Sequence, residues 1–370
     1  MRCSSPSLSR MIVLTFLVLA GCGGPPELVG IDNPSTPAEA APGVSRHRIF
    51  IFTTREATEA VGAFYSGERA PELGMASVDV TIPPNHVTGE LERPKRLPPD
   101  PRTEFAVVDP VVYRTDASFV AEVNRELAKL PRHQQKVLIF VHGFNNTTSD
   151  AILRLSQFVE DTNFQGVPVL FTWASAAKPS RYVYDLNSAL VARSKISTMA
   201  SVLAKTRAKS VDVFAHSMGT LLTMEGLVDA QQEGRLGRRN AIDTIMLASP
   251  DIDIDLFRTQ LAQLPPAIVK KIFVLASKDD KALRFSRIIA GGVPRVGAAD
   301  AAELEKLGLV VIDLSEIGDS SSGSHSKFAG SPEVVQFIGL GLNSAGRFGE
   351  TRTPSLDILL AKVPIRILGN

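Results

Sequence analysis

The sequence predicts an α/β protein built on a mostly parallel, eight-stranded sheet with helices on both faces. Three observations predict it. Eight short apolar or β-branched runs follow one another, each bounded by turn residues. Several are apolar at consecutive positions rather than alternating, as expected of strands covered on both faces. From the third run onward, segments with apolar residues three and four apart separate most of the runs, which is the alternation of a parallel sheet with crossover helices.

The eight runs are RIFIFTT (48–54), ASVDVTI (76–82), KVLIFVH (136–142), PVLFTW (168–173), SVDVFAH (210–216), AIDTIMLA (241–248), KIFVLAS (271–277) and LVVIDLS (309–315). Helical spacing marks the segments around 149–161, 186–206, 219–232, 253–263 and 332–341. Residues 83–131 differ. A proline-rich stretch, RPKRLPPDP (93–101), precedes a helical segment near 117–129, and the region reads as an excursion within the sheet crossover. The domain is expected over residues 46–343. From 344 to 370 the sequence reads as a tail whose last apolar run, LDILLAKVPIRIL, is expected to dock on the core as helix or strand.

At the other end, Arg2 and Arg10 flank a short apolar stretch, Met11 to Ala20, too short to span a hydrocarbon core. Residues 1–21 therefore read as a signal peptide. Leu19-Ala20-Gly21-Cys22 resembles a bacterial lipobox, in which Cys22 is acylated and becomes the first mature residue. Gly23, in place of an aspartate, points by the same resemblance to the periplasmic face of the outer membrane. Cys3 and Cys22 are the only cysteines, so the mature chain makes no internal disulfide. Residues 22–45, rich in Pro, Gly and Ala, read as a flexible tether. The 40 basic and 39 acidic side chains give a net charge of +1, which provides no electrostatic footprint for nucleic acid.

The chemistry concentrates in FAHSMGT (214–220). Ser217 follows a predicted strand and precedes a predicted helix, the context of a nucleophile elbow, with Ala215 where the usual G-x-S-x-G pattern has its first glycine. A serine hydroxyl needs a base to take its proton. In this topology the chain order is nucleophile, acid, histidine. Of six histidines, only His325 lies beyond the elbow, in the loop GDSSSGSHSKF (318–328) after the eighth run. The acid should follow the seventh run, where Asp279 and Asp280 stand; Asp280 is preferred, either could instead cap the next helix, and Asp251 after the sixth run is an outside alternative. Asp251, Asp253 and Asp255 lack the glycine and terminal glutamate of a calcium loop, and no metal or other cofactor is called for. The backbone N–H groups of Met218 and of Phe144, in VHGFNN (141–146), are the expected oxyanion donors. His142 is expected to be a buried structural residue, His216 to point away from the hydroxyl, and Asp185 to cap the helix near Leu186.

These blocks, with FTTRE (52–56), the stretch 67–94, FTWAS (171–175), YVYDLNSA (182–189) and ASPDID, resemble a bacterial family of α/β-hydrolases of unknown function grouped with esterases and lipases, over roughly residues 48–340. The resemblance implies the α/β-hydrolase fold and the roles of Ser217, Asp280 and His325 as a triad. Arg55 and Arg69 fall in its blocks as structural arginines. Where the family pattern leads one to expect Ser-Tyr-Phe after the histidine, this chain has Ser326-Lys327-Phe328, a change expected at the mouth of the site. The function that follows is an esterase-like serine hydrolase with small-molecule ester substrates, tethered to a membrane through Cys22. The alternative is a non-catalytic, membrane-tethered binding or envelope-assembly protein on the same scaffold.

Overall fold

In strand β1 (Ser45–Ala57), Phe50 and Phe52 fall in the core on one side of the sheet and Ile49 and Ile51 in the core on the other, all fully buried. Side chains alternate across a strand, so a run apolar at every position requires cover on both faces. The computed structural model describes residues 25–236, 241–318, 323–344 and 354–369. The predicted signal peptide, Cys22 and part of the loop before His325 lie outside them.

The remaining elements follow in chain order: β2 (Tyr65–Ile82), β3 (Ala106–Tyr113), α1 (Asp116–Ala128), β4 (Lys136–Val141), α2 (Thr148–Asp161), β5 (Val167–Thr172), α3 (Tyr182–Leu203), β6 (Ser210–His216), α4 (Met218–Gln232), β7 (Ala241–Ala248), α5 (Ile254–Ala262), α6 (Pro266–Val269), β8 (Ile272–Ala276), α7 (Lys281–Ile289), α8 (Ala301–Glu305), β9 (Val310–Asp313), α9 (Lys327–Gly330), α10 (Pro332–Asn343), α11 (Pro354–Lys362) and β10 (Arg366–Leu368).

Among the described residues the sheet has ten strands, not eight, in the order β10-β9-β8-β7-β6-β4-β5-β1-β2-β3. From β9 to β1 neighbouring strands are parallel, while β2, β3 and β10 add antiparallel edges. One core lies between the sheet and α1, α3, α4 and α5; the other packs α2, α10 and α11 on the opposite face. All the parallel strands end on one side, so the loops after β4, β6, β7, β8 and β9 gather there, the usual place for a site in such a sheet.

The expectation at the N-terminal end is corrected. The segment before β1 is not a loose tether along its described length. Leu28 is fully buried and its N–H bonds Ser149 Oγ at 2.9 Å. Val29 bridges to Val107, and its N–H bonds Gly62 O at 2.8 Å. Two apolar residues and their backbone bonds are enough to dock an extended segment whose composition signals only looseness. At the other end, β10 pairs antiparallel with β9, and Leu359 of α11 and Ile365 enter the second core. The described part of the predicted tail, from residue 354 on, thus belongs to the domain.

Candidate active site

Ser217 stands between β6 and α4 with φ +52° and ψ −125°, a backbone conformation that costs a non-glycine residue energy and persists only where surroundings enforce it. Here they do. The Ser217 N–H bonds Ala248 O at 2.9 Å, and its carbonyl accepts from the Thr220 N–H and hydroxyl. Gly219 is required by contact: a Cβ there would lie 2.4 Å from His142 O and 2.6 Å from Val141 O. A Cβ on Gly143 would lie 2.8 Å from the Ser217 side chain. The two glycines let the loop after β4 and the turn after β6 touch. Alanine at 215 fits, fully buried within β6.

His325 lines the same cavity as Ser217, about 290 Å³ in volume. Its Nδ1 lies 2.8 Å from Asp280 Oδ2, and the Asp280 side chain is fully buried. In the neutral ring with Nδ1–H donating to the carboxylate, Nε2 is the nitrogen without a proton. Asp280 also caps α7, its Oδ1 accepting the Leu283 N–H at 2.9 Å. Cap and histidine partner, which the sequence offered as competing readings, are one residue.

The other two acids are engaged elsewhere. Asp279 holds Lys327, whose ammonium lies 2.9 and 3.0 Å from its two oxygens and donates also to Ser277 Oγ and Leu314 O. Lys327 is 2% exposed. It therefore does not reshape the mouth, as its place in Ser-Lys-Phe suggested, but points inward and ties the His325 loop to the ends of β8 and β9. Asp251 does line the cavity, yet it accepts from Tyr182 Oη at 2.9 Å and from Ser286 Oγ. The buried Arg295 Nε approaches it at 3.3 Å as an ion pair without hydrogen-bond geometry. Burial, with Asp251 adding to it, pushes the Tyr182 phenol well up, so Tyr182 stays a donor.

Met218 opens α4, whose leading N–H groups have no partner within the helix. Phe144 lies in the loop after β4, and Asp185 pins that loop. The buried Asp185 carboxylate accepts from Ser175 Oγ at 2.5 Å, from the Ala176 N–H at 2.8 Å and from the Asn145 N–H at 3.2 Å. This corrects its reading as a cap, because α3 begins earlier, at Tyr182. Arg55, 2% exposed, donates to Thr172 Oγ1 and to the carbonyls of Ser66, Ser175 and Asn146. Its burial lowers it to about 10, against the raising effect of Asp185. Arg69 donates to Ser188 Oγ and Tyr184 O, with its guanidinium 4.5 Å from the Tyr184 ring.

His142 stacks on Trp173 at 5.0 Å, accepts the Trp173 N–H at Nε2 and donates from Nδ1 to Gly143 O. Burial, followed by the charge on Arg55, lowers it to about 3, so it is neutral. His216 is also pushed well below its ordinary value, by burial and then by His325. Its Nε2–H donates to His325 O at 3.1 Å, and Ser249 Oγ donates to the same carbonyl. His216 thus holds the loop of its neighbour, a role with no signal in the sequence. Tyr182, Ser286 and Arg295 around Asp251, and Ser175 behind the β4 loop, were likewise unmarked, because their partners are remote in sequence.

Fold and site define an α/β-hydrolase. The family model described as alpha/beta hydrolase of unknown function, DUF900, matches residues 115–340, and the chain belongs to that family. No curated protein matches the chain. Among solved structures, an esterase of Rhizomucor miehei matches at 12% identity over 90% of this chain and 82% of its own, with a TM-score of 0.31. Lipase B of Aspergillus fumigatus matches at 14% over 62% and 57%, with a TM-score of 0.37. An esterase of Pyrobaculum calidifontis matches at 12% over 72% and 81%, with a TM-score of 0.34. At that distance these likenesses carry no argument about chemistry.

Proposed function

We propose that the protein is a serine hydrolase of carboxylic esters. One observation carries the reading: Ser217, held at positive φ on the turn into α4, shares a cavity with His325, whose Nδ1 is bound to the fully buried Asp280. His325 Nε2 takes the hydroxyl proton as Ser217 Oγ attacks the ester carbonyl carbon. The tetrahedral oxyanion accepts from the N–H groups of Met218 and Phe144. The C–O bond to the alcohol breaks, His325 returns the proton to it, and the acyl group stays on Ser217. Water then attacks the acyl-enzyme with His325 again as base, releasing the acid and free serine. Asp280 keeps the imidazole oriented and stabilises its charged form. The same reading has Cys22 acylated and the domain held at a membrane of the cell envelope, tested by the intact mass of the N-terminal peptide from the native host.

The test of the chemistry is covalent capture. A fluorophosphonate probe should add once to the wild-type chain and not to Ser217→Ala or His325→Ala. Ester turnover should fall by about 10⁴-fold or more in either variant. A folded wild type that takes no probe overturns the hydrolase and leaves the non-catalytic scaffold.

A further inference from the structure

α7 forms one wall of the cavity through Leu283, Phe285 and Ser286, yet much of it faces outward. Phe285, Ile288 and Ile289 are 61%, 75% and 43% exposed. At spacings of three and four they lie together on one helix face. Lys281, Arg284 and Arg287 are exposed beside them. Arg284 donates to Lys278 O and Arg287 to Gly292 O, and among the described residues no carboxylate pairs with any of the three. A short helix with an exposed aromatic and two isoleucines, rowed by cations, matches the makeup of a segment lying in the interface of an anionic bilayer. Across the mouth, Tyr182 lines the cavity while its neighbours Arg181 and Val183 are exposed, Val183 by 62%.

The N-terminal segment gives this face a direction. β4 and β8 are both strands of the parallel block, so α2 and α7, which follow them, start on the same side of the sheet. Leu28 is fastened to Ser149 in the first turn of α2, and Pro26 O accepts from Arg93, which is itself paired with Asp150. Cys22 is six residues from Leu28 in the sequence, a reach of roughly 20 Å at full extension. With Cys22 acylated, the lipid would lie within that reach of the first turn of α2, on the side of the sheet where α7 starts.

We propose that α7 docks on an anionic lipid surface and opens the cavity of Ser217 to it, so that the substrate is an ester resident in that surface. The substrate part rests on the hydrolase reading; the docking does not. The test uses the chain from residue 22 onward, which contains every described residue, with Cys22→Ser so that it carries no acyl group. An environment-sensitive fluorophore is placed at Ile288→Cys or, as a control, at Lys209→Cys, an exposed residue just before β6 on the opposite side of the sheet.

With vesicles of phosphatidylglycerol and phosphatidylcholine, the label at 288 should shift to the blue and be quenched by nitroxide lipids, and the label at 209 should not. Vesicles of phosphatidylcholine alone should give far less. Arg284→Gln with Arg287→Gln should raise the lipid needed for half-maximal shift about thirtyfold, at about 1 kcal/mol per cation near the surface. Hydrolysis of a soluble short-chain ester is followed on the same unlabelled double variant and should be unchanged. No lipid signal at 288, or equal signals at 288 and 209, overturns the docking, and soluble-ester turnover in the same samples shows whether the hydrolase reading stands without it. An equal response on phosphatidylcholine overturns the anionic surface.

Discussion

Gly219 has no room for a side chain, since a Cβ there would sit 2.4 Å from His142 O. Gly219→Ala should therefore push α4 away from the loop after β4, costing about 1–3 kcal/mol in thermal unfolding and most of the probe labelling at Ser217. A variant labelled as fast as wild type would show that the two turns need not touch. The two neighbouring acids separate in the same way. Asp280→Asn keeps an acceptor for the Leu283 N–H but no longer holds the charged imidazole, so labelling should slow by orders of magnitude with little loss of stability. Asp279→Asn leaves the ammonium of Lys327 short of its counter-charge. Because Asp279 is 45% exposed, the cost is about 1–2 kcal/mol rather than that of a fully buried pair. Labelling should persist, and the reverse ranking would reassign the acid to Asp279. That Ser217 and His325 come together in one cavity was legible, because turn chemistry and chain order single them out. Which of the two adjacent aspartates faces His325 depends on side-chain direction, which spacing does not encode.

At the scale of elements, the strands that were read correctly are those buried on both faces. β3 escaped because it is an edge strand: Asp109 at φ +50° and Pro110 interrupt its apolar pattern, and Val111 and Val112 are 46% and 59% exposed. Proline is tolerated there because an edge strand has one side without a ladder partner. β10 is only three residues long, below any periodicity, yet it covers the edge of β9. Ending the chain after Asn343 should expose that edge and remove Leu359 and Ile365 from the second core. At about 1.5–3 kcal/mol per buried aliphatic side chain, the loss is several kcal/mol, with self-association through the bared strand. Thermal unfolding and light scattering read both effects, and an equally stable, monodisperse truncation would make the segment dispensable.

For the whole molecule, histidines on different parts of the fold act in opposite directions on pH stability: His142 and His216 one way, His86 the other. His142 behind the site is lowered to about 3 by burial and then Arg55. Folding holds it neutral, so its contribution is complete above about pH 6.5 and is lost as pH falls, about 2 kcal/mol by pH 5. His216, pushed down by burial and then His325, acts in the same direction. His86 does the reverse. Burial, the largest single effect, lowers it, but hydrogen bonds donated by the ring to Asp161 at 2.8 Å and Glu92 at 2.7 Å together raise it to about 9. Folding holds it charged, clamping the loop after β2 to the end of α2. That contribution is complete below about pH 6.5 and is lost by pH 9, up to about 3 kcal/mol. From these groups stability should peak near pH 6.5 and decline on both sides. His86→Gln should flatten the alkaline limb between pH 6.5 and 9 and leave the acid limb in place, because the acid limb belongs to histidines in the first and second loops of the site. Thermal unfolding of both chains across pH 5–9 decides it: an alkaline limb that survives His86→Gln would mean that the clamp does not carry it.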